Sequence, residues 1–122
     1  MIKTIYPVIN TGKERGGASA CVKTMTIHVS KGFLELDQNV QNAILLHEEG
    51  HLVNGHYNTP SDTFLHRLKQ ESIADLYAYE MGADIIGALR YILDVRTNTP
   101  KPEEDMTLMR YEGLLSLAAL VA

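Results

Sequence analysis

Between residues 38 and 56 the apolar positions recur at helical spacing. Val40, Ile44, His47 and His51 share one stripe, Leu45 and Leu52 lie nearly opposite, and Leu46 and Val53 fill a third side. A helix apolar on nearly every side is a buried one. Asp37 stands where it can cap this helix, and Gly55 where the helix would end. Upstream, Ile2 to Ile9 predicts a short strand and Asn10 to Gly17 a charged, glycine-rich connection. Met25, Ile27 and Val29 then alternate with Thr24, Thr26, His28 and Ser30, which predicts a half-buried strand with one polar face. Downstream, Ser61-Asp62 is placed to cap a second helix running to about Gly82. Asp84 opens a third with Ile85, Ile86, Leu89, Ile92 and Leu93, and Thr97 to Pro102 is a breaker. A last helix has Glu103, Glu104 and Asp105 at its start and carries Met106, Met109, Leu115 and Leu117. The closing run Leu114 to Ala122 is expected as core, with an oligomer contact as the second option. The fold class expected is α+β: a small N-terminal β-sheet packed on helices, in a single domain spanning residues 1–122.

Composition narrows the setting. At 122 residues and 45% hydrophobic content the chain can build one modest core. A net charge of −4 without a basic stripe argues against nucleic acid as a partner. Cys21 is the sole cysteine, which excludes an internal disulfide and fits a reducing compartment. Met1 to Thr4 lacks the apolar core of a signal peptide, and the longest apolar run falls far short of the ~20 residues a membrane helix needs. The expectation is a cytoplasmic protein with no membrane span. Its oligomeric state stays open.

Candidate chemistry sits in the first helix. His47-Glu48-Glu49-Gly50-His51 reads H-E-x-x-H. Histidines four apart lie on one face about a turn apart, so both imidazoles can reach one ion. Glu48 lies about 100° round the helix from His47, near enough to contact a water on that ion without ligating it. Two nitrogen ligands, an open position and a carboxylate base are what a zinc hydrolase requires. A catalytic zinc takes a third protein ligand. His56 is out of register for the metzincin spacing, where glycine at 54 and histidine at 57 would be needed and Asn54 and Tyr57 stand instead. The better candidate is Glu71. Phe64, Leu68, Glu71, Asp75, Ala78 and Gly82 share one face of the second helix, and two carboxylates there are costly to bury without a cation. Glu71 would ligate, and Asp75, one turn along, would accept a hydrogen bond from a ligating histidine.

H-E-x-x-H followed by E-x-x-A-D resembles the gluzincin peptidases, whose third zinc ligand is a glutamate on the next helix. The nearest likeness is the soluble catalytic core of HtpX-type peptidases, carried by Thr26 to Leu34, Leu36-Asp37, Ala43 through His56 and Glu71 to Ala78, continuing through Met81-Gly82-Ala83-Asp84. A second likeness is to the IrrE/ImmA-type peptidases. The resemblance implies a zincin-like minimal metallopeptidase domain, Zn2+ held by His47, His51 and Glu71, Glu48 as general base, Asp75 behind a ligand, and a protein or peptide as substrate. The chain departs from the pattern at Glu49, usually apolar, and at Gly16-Gly17-Ala18-Ser19-Ala20, where an asparagine is characteristic.

Other residues carry weaker expectations. The strand Thr24 to Ser30 would border the cleft as an exposed edge able to pair with an extended substrate. Tyr79, His66, Tyr91 and Arg110 are unranked candidates for an oxyanion donor beyond the metal. His28 and His56 are expected to be hydrogen-bonded or solvated, and Cys21 to be a small buried residue more than a thiolate capping the zinc. Three functions follow: a zinc metallopeptidase, an IrrE/ImmA-type regulatory peptidase acting on one protein partner, and a non-catalytic zinc-binding interaction protein. The presence of Glu48 favours the enzymes, because a structural site has no use for a base.

Overall fold

The alternation around residues 25–29 folds into a strand, but a central one. A computed structural model of the chain describes residues 3–5, 18–21, 23–56, 63–95 and 100–121, with the backbone alone for 3–5. Strand β1 (Lys3–Ile5) runs parallel to β3 (Thr26–Val29) with Lys3 opposite Thr26, and β2 (Ala18–Cys21) runs antiparallel to β3 with Ala18 opposite Val29. The sheet order is β1-β3-β2. β3 is therefore hydrogen-bonded on both sides, and the expectation that residues 24–30 form an exposed edge is overturned. Among the described residues the edge strands are β1 and β2, the latter a strand whose small residues Ala18, Ser19, Ala20 and Cys21 carry little β-propensity. β2 forms as the antiparallel partner of β3, and the turn at residues 23–25 that leads into β3 places Met25 at φ 51. The expected strand at 2–9 is found at 3–5; its remainder and the connection at 10–17 lie outside the described residues.

The two faces of the sheet separate as the alternation predicts. Ile27 and Val29 are buried with Phe33 and Leu52, flanked by Ala18, Ala20, Met25, Ile44 and Leu45. On the other face the Thr24 and Thr26 hydroxyls lie 2.6 Å apart, and Thr26 Oγ1 is 3.0 Å from His28 Nε2. A single 3₁₀ turn (Gly32–Glu35) drives Phe33 into the core.

Helix α1 (Gln38–Val53) meets the sheet on one side through Leu52 and the other helices on another through Val40 and Ala43. Asp37 occupies the N-cap position, yet its side chain makes no capping bond; Gln41 Nε2 ties the first turn back to the preceding chain by donating to Leu36 O at 2.8 Å. The helix stops at Asn54, and Gly55 takes φ 64. Helix α2 (Phe64–Glu80) is capped by Thr63, whose Oγ1 accepts from the His66 amide at 3.1 Å. Thr63 thus takes the role expected of Ser61-Asp62, residues outside the described set. A hydroxyl directly before the first turn is the better placed acceptor. Gly82, at φ 87, ends α2 in a Schellman arrangement with Ala83 N bonded to Ala78 O and Gly82 N to Tyr79 O.

Asp84 opens α3 (Ile85–Val95) as expected, accepting from Gly87 N at 2.9 Å. Helix α4 (Lys101–Val121) starts inside the expected breaker, with Pro102 in its first turn where no amide is needed. α1, α2, α3 and α4 share a core of Val40, Ala43, Ala78, Ala83, Ile85, Ala88, Leu89 and Leu114. The closing run does not pack as core. Leu114 is buried, but Leu115, Leu120 and Val121 are 43%, 83% and 65% exposed, because only one face of α4 meets the other helices. Among the described residues, no helix is long and apolar enough to cross a membrane.

The contact that positions the site is the approach of α1 to α2 at Gly50. A Cβ there would stand 3.0 Å from both Ala74 Cα and Tyr77 Cβ and 3.1 Å from Ala74 O. One turn away, the Tyr77 hydroxyl donates to Glu49 Oε2 and ties the same pair of helices. Gly50→Ala gains up to about 1 kcal/mol of helix propensity but overpacks a backbone contact, a cost of about 1–3 kcal/mol. A net loss of about 1–2 kcal/mol is expected in urea unfolding. A variant as stable as the parent would mean that the helices are not this close.

Candidate metal centre

The i, i+4 spacing of His47 and His51 and the docking of α2 at Gly50 bring three ligand atoms together. His47 Nε2 and His51 Nε2 are 3.1 Å apart, and Glu71 Oε2 lies 2.9 Å from the first and 3.4 Å from the second. Among the described residues these three side chains form a group able to hold a metal ion. Ligand atoms about 2.0–2.1 Å from a tetrahedral zinc stand about 3.3 Å from one another. The observed triangle fits one face of such a tetrahedron.

The far side of each imidazole explains why the rings face inward. His47 Nδ1 lies 2.7 Å from Asp75 Oδ1, and His51 Nδ1 lies 2.9 Å from His56 Nδ1. A neutral imidazole that donates through Nδ1 presents Nε2 as a lone pair. Two such lone pairs and a carboxylate oxygen then point at one spot, an arrangement that only a cation or a proton can hold. Asp75 is in turn gripped by Arg110 of α4, with Nε to Oδ2 and Nη2 to Oδ1 both at 2.7 Å. Arg110 Nη1 is also 3.7 Å from Glu71 Oε2.

Electrostatics follow from this packing. Burial opposes a charge on His47, but the hydrogen bonds to Asp75 and Glu71 outweigh it and raise its pKa from 6.5 to about 9. Burial also pushes Glu71 up, and the hydrogen bonds from His47 and His51 hold it well below the usual carboxylate range. Asp75, only 1% exposed, is lowered against the same burial by Arg110 and His47. Glu48 is the exception. It is buried, its Oε2 is 3.6 Å from His47 Nε2, and burial raises its pKa despite the neighbouring histidines. A raised carboxyl beside a group able to hold a metal ion is suited to accept and return a proton.

The residues expected at the centre, His47, Glu48, His51, Glu71 and Asp75, all gather there. Two others adjoin them: His56, hydrogen-bonded as expected and with His51 as its partner, and Arg110. His56 points away from His51 on a continuous helix, but Gly55 at φ 64 turns the chain back and buries its ring, while Gln70 Nε2 holds its carbonyl at 3.1 Å. The Gly55-His56 pair was the available signal. Arg110 stood among the oxyanion candidates; two of its nitrogens are committed to Asp75 instead, a pairing 35 residues apart with no local trace. Of the other candidates, Tyr79 packs against the helical core, Tyr91 is exposed and His66 sits in the first turn of α2. His28 is bound to Thr26 on the outer face of the sheet, and Cys21 is half-buried on β2, neither belonging to the group of three ligands.

No protein-family model, no curated protein and no solved structure compared with the chain matches it.

With no ion bound, protonated His47 faces Asp75 through Nδ1 and Glu71 through Nε2. Because its folded pKa lies above 6.5, the stability this proton gives is complete below pH 6.5 and is lost as pH rises through about 9. Zinc uptake near neutral pH should therefore release about one proton per ion, measured by titration calorimetry in buffers of different ionisation enthalpy. Uptake with no proton release would contradict this charge state.

Proposed function

We propose that the chain is a zinc-dependent peptidase of gluzincin type, a zincin-like minimal domain in which His47, His51 and Glu71 hold the ion. The observation that carries this reading is the triangle of Nε2, Nε2 and Oε2 atoms at 3.1, 2.9 and 3.4 Å, with a buried glutamate one residue from the first ligand. Three ligands leave a tetrahedral ion one open position, which favours catalysis over a closed structural site. When bound, zinc supplies a Lewis acid that polarises a carbonyl and acidifies a water.

The residues of the chain do the rest. Glu48, kept basic by burial, takes a proton from the attacking water and passes it to the departing amine. Asp75 fixes the ring of His47 and His56 that of His51, so neither ligand reorients during turnover. An extended peptide would add to the outer edge of β2, which has no strand partner among the described residues. Ala18 and Ala20 of that strand pack with Ile44, Leu45 and Leu52 of α1, which sets the edge beside the metal helix. The donor set of two imidazoles and one carboxylate supports zinc as the cofactor, and the free strand edge supports an extended protein or peptide as substrate.

Glu48→Gln should keep about one zinc per chain and lose about 10²–10⁴-fold in peptide hydrolysis. Metal content is read by elemental analysis, and cleavage by mass spectrometry on a proteome-derived peptide library. Undiminished cleavage by this variant, or a parent chain that takes up no zinc, would overturn the proposal.

A further inference from the structure

Helices α1 and α2 carry three carboxylates into one buried cluster, and the one guanidinium that meets them among the described residues comes from α4. Glu48 and Asp75 are buried and Glu71 is largely so. Arg110, whose side chain is only 14% exposed, reaches them from the middle of α4. Three carboxylates against one guanidinium and a divalent ion come out even; without the guanidinium the cluster would carry an uncompensated charge. The geometry is also specific. Asp75 Oδ1 receives both His47 Nδ1 and Arg110 Nη2 at 2.7 Å, while Oδ2 receives Arg110 Nε at 2.7 Å. A forked pair of this kind fixes the plane of the carboxylate as well as its position. The plane of Asp75 in turn sets the tilt of the His47 ring.

The neighbours of Arg110 on α4 show what accompanies it. Met106 and Thr107, about a turn before it, and Leu114, a turn after, are the buried residues of α4. The stretch that docks α4 is thus centred on the arginine, while the end of the helix lies exposed.

We propose that Arg110 is a positioning residue for the metal centre, acting through Asp75 on His47, and that docking of α4 and retention of the ion are thermodynamically linked through it. This inference rests on the proposed zinc site and adds a residue and a helix that the H-E-x-x-H and E-x-x-A-D motifs do not contain. Linkage is reciprocal: if docked α4 favours the ion, the ion favours docked α4.

The test uses the full chain with zinc or cobalt alone. In the parent protein, zinc should slow amide exchange across residues 106–114, and cobalt should give a visible spectrum characteristic of the site. Arg110→Met should weaken zinc binding about 10–100-fold in chelator competition, shift the cobalt bands and abolish the zinc-dependent protection of α4. Arg110→Lys, which keeps the charge and loses the fork, should recover part of the affinity. Lys101→Met, which removes an exposed pairing with Asp105 on the same helix, should change none of these. A parent chain whose α4 exchange is indifferent to zinc overturns the linkage even if Arg110→Met fails to fold. Arg110→Met that binds zinc as tightly as the parent overturns the positioning role and leaves the zinc site standing. Failure of the parent to bind zinc overturns both.

Discussion

Two imidazole nitrogens 3.1 Å apart, each with the opposite ring nitrogen already hydrogen-bonded, leave their lone pairs facing one another and a carboxylate oxygen. Such an assembly repels itself unless a positive charge fills the centre. In this chain the filler is a proton on His47 or, as proposed, a divalent ion. Most of the remaining architecture exists to hold the three donors in place despite the cost of burying them. Gly50 lets α1 and α2 approach until Glu71 reaches the histidines, Asp75 and His56 fix the rings, and Arg110 supplies a counter-charge.

The sheet and the outer helices serve this constraint at one remove. Ile27, Val29 and Phe33 bury one side of α1, and the residues around Leu89 and Leu114 bury another. A helix clamped on two sides cannot rotate to point its histidines into water. The Schellman turn at Gly82 and the capped start of α3 at Asp84 then redirect the chain so that α3 and α4 close over α2. The apolar tail of α4 adds nothing to that closure, since Leu120 and Val121 face outward.

What could be read from the sequence was whatever is encoded within a few residues. The spacing of His47 and His51, the shared face of Glu71 and Asp75, the stops at Gly55 and Gly82 and the polar face of β3 all follow from local periodicity. Local pattern falls short where a distant partner decides. Nothing in Thr24 to Ser30 says whether its neighbours are one strand or two, and β2 is too poor in β-branched residues to announce itself. Thr63 displaced Ser61-Asp62 as the cap of α2 by a shift of one or two positions, within the range where several hydroxyl and carboxyl residues compete. His56 needed the left-handed turn at Gly55, and Arg110 needed the packing of α4. The run Leu114 to Ala122 is apolar by composition alone, and among its described residues only Leu114 is buried.

The central claim is that His47, His51 and Glu71 are the ligands of one zinc ion, and X-ray absorption at the zinc edge of the reconstituted protein measures that directly. The account predicts a first shell of nitrogen and oxygen at about 2.0–2.1 Å with the outer-shell scattering of two imidazoles, reduced to one imidazole in His51→Ala. A shell containing sulfur at about 2.3 Å, or one without imidazole scattering, would contradict it.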